Sequence, residues 1–159
     1  MARLNRITIK GFKSIRDMTL EMRPLNVLIG VNGAGKSNLV AFFKMINEMM
    51  GGRLQQYIAT TGRAQSLLHF GPKVTPEMSA RLEFAAVSGM KGDRGTDTYV
   101  MRLIPAANDT LVFAYEGFER ADNVVINATG IGVGHQETHV NEVADEGDST
   151  ARDFRRVLN

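Results

Sequence analysis

The sequence predicts an α/β fold, and three observations carry that expectation. Period-two runs open the chain; a glycine-rich stretch, GVNGAGKSN at residues 30–38, stands between an apolar run and a helix-periodic run; and three more strand-like runs follow downstream, divided by turn-rich sequence. A sheet with at least one helix packed on it is the arrangement that satisfies all three.

Taken in order, Ile7 and Ile9 alternate with Thr8 and Lys10, and Met18, Leu20 and Met22 alternate with Thr19 and Glu21. This is the pattern of two half-buried strands, expected to be antiparallel and joined by a turn at Gly11 to Ser14. LNVLIG, residues 25–30, is almost wholly apolar and reads as a strand covered on both faces. Beyond the glycines, Leu39, Phe42, Phe43, Ile46 and Met49 recur at three- and four-residue spacing, which predicts a helix from Lys36 to Met50 with one face in a core, ended by Gly51 and Gly52. A short helical piece at Leu54 to Ile58 follows. ARLEFAAV, TYVMRLI and TLVFAYEGFE then predict a meander, with NVVINA as a shorter fourth strand. Gly130 to Asp148 has no period and reads as a mobile loop, after which Ser149 is placed to cap a last helix carrying Ala151, Phe154 and Leu158 on one face.

Composition narrows the class. With 159 residues the chain has the size of one ordinary domain, and no window approaches the ~20 apolar residues that cross a bilayer. The N-terminus carries charge where a secretory leader needs an apolar core, and there is no cysteine, so thiol catalysis and cysteine-ligated zinc are excluded. A cytoplasmic protein with no membrane partner is the expectation. The net charge of +2 is small, although Arg3, Arg6, Lys10, Lys13, Arg16 and Arg23 crowd the first segment. Such a run is more often a solvated strand face than a nucleic-acid surface.

The chemistry concentrates in Gly30, Gly35, Lys36 and Ser37, which meet G-x-x-x-x-G-K-[ST], with Gly33 as an extra glycine. Glycines allow a tight turn and a close approach of backbone to phosphate, so that N–H groups from Asn32 through Gly33, Ala34, Gly35, Lys36, Ser37 and Asn38 can wrap anionic oxygens. The helix N-terminus adds its unpaired donors and positive dipole end. Lys36 then serves as a point charge on the β- and γ-phosphates, and the Ser37 hydroxyl as a Mg²⁺ ligand, so ATP and Mg²⁺ are the expected cofactors.

GVNGAGKSNLV, preceded by ITIKGFKSIRDMTLEM, resembles the N-terminal lobe of ABC-type ATPases of the SMC, RecF and overcoming-lysogenization-defect kind; LLHFGPK followed by a meander looks like the small antiparallel lobe of bacterial relatives labelled AAA family ATPase. The resemblance implies a P-loop NTPase lobe with a mixed central sheet, a Walker A helix and an antiparallel β-subdomain. It divides the chain into a Walker A lobe at 1–60, the β-subdomain at 61–128, and a loop with the start of a helical region at 129–159. It also implies that Lys13 and Ser14 lie near bound nucleotide. A Walker B strand ending in Asp-Glu is not found: TLVFAYEGFE reaches Glu116, but Tyr115 precedes it. VSGMKG lacks the second glycine of a signature segment, and Gln65 and His69 stand in no diagnostic context for a Q-loop.

The resemblance therefore implies part of an ATPase head, with no catalytic residue of its own and inactive alone. Its partners would be the C-terminal lobe of its parent chain, a second head in a head-to-head homodimer, and DNA, in repair, chromosome handling or phage defence. A non-hydrolysing nucleotide-sensing module is the alternative, and a P-loop kinase is disfavoured by the double strand before the loop. His135 and His139 in HQETH have the wrong spacing to Glu137 for a metalloprotease helix and read as polar surface.

Overall fold

The computed structural model describes residues 3–85, 96–121 and 126–158. The turn-rich stretch with VSGMKG and the first residues of NVVINA fall outside the described residues, as does the side chain of Leu158. Strands β1 (Leu4–Phe12), β2 (Ile15–Glu21), β3 (Met78–Ala85), β4 (Thr96–Ala106), β5 (Thr110–Ala121) and β6 (Ile126–Gly132) form one sheet in the order β2-β1-β3-β4-β5-β6. Helices α1 (Lys36–Met50), α2 (Leu54–Thr60), α3 (Arg63–Leu67), α4 (Val140–Asp145) and α5 (Ser149–Leu158) accompany it.

The α/β class holds, but every described strand pair is antiparallel, so the sheet is not mixed. The difference lies in LNVLIG. Residues 25–30 join no strand, and Leu25, Val27 and Ile29 are 80%, 71% and 90% exposed. A strand covered on both faces needs neighbours along both edges, and among the described residues none lies beside this segment.

Alternation in the strands sorts the sheet into two faces. Ile7, Ile9, Met78, Ala80, Leu82, Phe84, Tyr99, Met101 and Leu103 turn inward and are buried. Against them pack Leu39, Phe42, Met45, Ile46, Met49 and Met50 of α1, so the predicted stripe is the core face, with Phe43 at its margin. The opposite sheet face pairs its charges: Arg6 with Glu21 and Glu83, Lys10 with Asp17, Arg81 with Glu119 and Arg102 with Glu77. The basic run of the first segment is thus partly neutralised across the strands, and each such exposed pair contributes at most about 1 kcal/mol.

The predicted loop from Gly130 to Asp148 holds regular structure in part: β6 continues to Gly132 and α4 runs from Val140 to Asp145. Periodicity was too short in either piece to be read. Asp148, not Ser149, caps α5, its Oδ1 accepting the Ala151 N–H at 2.8 Å. Phe154 of α5 enters the core, stacked on Tyr99 at 4.3 Å between ring centroids and close to Phe84 and Phe118. Phe154→Ala should cost about 3–5 kcal/mol of stability, read as a lowered urea midpoint; an unchanged midpoint would show that α5 is not part of the cooperative unit.

Candidate phosphate-binding site

The loop between residue 30 and α1 has the shape its glycines permit. Gly33 and Gly35 both stand at φ +89, a conformation that residues with a Cβ rarely adopt. The Ala34 N–H donates to Val31 O at 3.2 Å, closing a turn, and Asn38 and Leu39 N–H groups donate to Gly35 O to start α1. No side chain caps that N-terminus, which leaves first-turn donors for an anion. Lys36 reaches back over the loop, its Nζ donating to Gly30 O at 2.6 Å and Val31 O at 2.8 Å.

A cavity of about 340 Å³ is lined by Asn32, Gly33, Gly35, Lys36, Ser37, Asn38 and Ser14. The structure therefore brings together the loop residues read from the sequence, with Ala34 on the neighbouring cavity between the loop and β2. Ser14 joins them through the β1–β2 turn: Asn38 Nδ2 donates to its Oγ at 2.6 Å, and a Cβ on Gly35 would meet the same oxygen at 3.4 Å. The Lys13 ammonium lies instead over the Phe12 ring, 5.9 Å from its centroid. A cradle of left-handed glycines, uncapped helix donors, one ammonium and the Ser37 hydroxyl fits a triphosphate with a hard cation.

A second polar assembly was missed by sequence reasoning. Tyr115 pairs with Arg102 while Phe113 pairs with Leu103, so Ala114 is an extra residue in β5. This bulge reverses the alternation and turns Glu116 and Phe118 to the inner face. Glu116 is fully buried and accepts from Tyr99 Oη, Thr138 Oγ1, His135 Nε2 and the His139 N–H at 2.5–3.1 Å. His135 stacks on Phe113 and on His139. HQETH is thus no polar surface: Glu137 also accepts the Leu54 and Gln55 N–H groups, and Asn141 donates to Met50 O at the end of α1. Among the described residues, no group of three or more His, Cys, Asp or Glu could hold a metal ion.

The loop and the helix that follows it have the form of a phosphate-binding loop. Residues 3–70, the part of the chain that carries the loop, match the family model of the AAA ATPase domain. No curated protein matches the chain. A solved structure reported for the ATP-driven dimerization and DNA-stimulated activation of SMC ATPases is similar over 94% of this chain and 80% of the other, at 17% identity and a TM-score of 0.49. Among the described residues, no helix is long and apolar enough to cross a membrane.

Two outcomes follow for the buried carboxylate. Glu116→Ala strands four donors and should cost about 3 kcal/mol or more, measured by chemical denaturation. Burial, and then the nearby Glu116 carboxylate, push the Tyr99 hydroxyl well above its ordinary value. The folded chain therefore holds this proton more tightly than the unfolded chain. Its contribution is complete below about pH 10 and declines as pH rises beyond that, so urea midpoints should fall as pH is raised from about 10 to 11; a flat profile there would contradict the Tyr99 environment.

Proposed function

We propose that the chain binds the triphosphate of ATP with Mg²⁺ and works as the N-terminal part of an ATPase head. The observation that carries this reading is the loop itself: Gly33 and Gly35 in left-handed geometry, α1 without a side-chain cap, and Lys36 bridging the loop mouth. The phosphates would replace Gly30 O and Val31 O as partners of the Lys36 ammonium. The Gly33, Gly35, Lys36 and Ser37 amides would wrap the β- and γ-oxygens, while the Ala34 and Asn38 N–H groups stay with Val31 O and Gly35 O, and Ser37 would take one position on the cation. The Mg²⁺ ion would neutralise charge developing on the transferred phosphoryl group.

Hydrolysis needs a group that orients the attacking water. Glu116, the acidic residue at the end of the one Walker-B-like run, is committed to four donors away from the loop. The base is therefore assigned to a C-terminal lobe of the parent chain. The exposed row from Leu25 to Val31 supports that assignment: it flanks an apolar cavity of about 430 Å³ with Leu20, Met22, Val40 and Phe43, as a strand awaiting neighbours does. Engagement of two heads on ATP, and work on DNA in repair, chromosome handling or phage defence, extend this reading by resemblance alone.

Calorimetry on the full-length parent tests it. Mg·ATP should bind saturably, Lys36→Ala should weaken binding by about tenfold or more, and Ser37→Ala should lose mainly the Mg²⁺-dependent part. Absence of saturable heat with the unmodified parent would end the proposal.

A further inference from the structure

The β1–β2 turn reaches the loop through Ser14, yet its own shape is not one a hairpin holds unaided. Lys13 stands at φ +49, a region that disfavours residues with a side chain. Residues 67–69 hold it from outside. The Lys13 N–H donates to Leu67 O at 2.8 Å and the His69 N–H donates to Gly11 O at 3.0 Å. Phe12 and Leu68 form a β-bridge between these bonds. His69 Nδ1 lies 2.7 Å from Lys13 O. A carbonyl oxygen can only accept, so Nδ1 carries the hydrogen. The ring is itself fixed, with Thr75 Oγ1 donating to His69 O at 2.5 Å and the Phe70 ring against the imidazole at 4.3 Å.

We propose that His69 is a positioning residue for nucleotide binding. Its Nδ1–H pins the Lys13 carbonyl, and so sets the direction in which Ser14 meets Asn38 and Gly35 at the mouth of the phosphate cavity. The imidazole lines neither cavity beside the loop and acts through the turn. The proposal rests on the reading that the loop holds a nucleotide. It adds a determinant of affinity that contacts none of the ligand.

Isosteres separate the donor from the ring. An asparagine amide nitrogen stands where Nδ1 stands, whereas a glutamine amide reaches toward the position of Nε2. In the full-length parent, His69→Ala and His69→Gln should weaken Mg·ATP binding about fivefold, the worth of one hydrogen bond, and His69→Asn should stay within about twofold of the unmodified protein. Amide exchange at Lys13 without nucleotide should quicken in the Ala and Gln variants and stay slow in the Asn variant. An Ala variant that binds as tightly as the parent overturns the proposal. So does an Asn variant as weak as Ala, because ring packing would then be the cause. Lys36→Ala reports on the loop independently: if His69→Ala is silent while Lys36→Ala abolishes binding, the positioning role fails and the nucleotide reading stands. If the parent binds no nucleotide, the positioning role falls together with that reading, whatever the exchange rates show.

Discussion

A carboxylate removed from water must be met by donors, and the way Glu116 is met organises the last part of the chain. Its four donors come from β4 and from the segment that follows β6, so that segment is tied to β5 of the sheet. The rings of His135 and His139 close over Gly132, where a Cβ would come within 2.4 Å of the His135 ring. From that anchorage Glu137 and Asn141 reach the start of α2 and the end of α1. Helices α4 and α5 then have a fixed point of departure, and Phe154 falls into the aromatic group around Tyr99.

The loop and this clasp are joined by α1. The helix has 15 residues and so spans about 22 Å. Its first turn forms the cradle, its middle packs on the inner face of the sheet, and its last carbonyls meet Asn141. A cradle borne on a rod clamped in this way keeps its donors oriented without a ligand to organise them. The β1–β2 turn supplies the remaining wall through Ser14, and it too is tied down, by residues 67–69.

Much of this was legible. The bounds of α1 follow from the stripe of Leu39, Phe42, Ile46 and Met49, and the left-handed turns of the loop from glycines whose spacing has a mechanical reason. Two kinds of information were not local. LNVLIG carries the composition of a buried strand, but composition reports what a segment requires and not whether neighbours are beside it. Alternation counted from Leu111 and Phe113 would turn Glu116 outward, yet it is buried. One bulged residue reversed the count, and nothing in TLVFAYEGFE marks it. HQETH looked like surface for a related reason: its partners lie far away in sequence, at Glu116, Leu54 and Gln55.

The bare row from Leu25 to Val31 has a consequence of its own. It is uncharged, rich in β-branched side chains, free of proline, and exposed at Leu25, Val27, Ile29 and Val31, which are properties of segments that recruit copies of themselves into fibrils. A partner that covered it would guard against aggregation as well as complete the structure. A stretch suited to the middle of a sheet is hazardous whenever it becomes the rim.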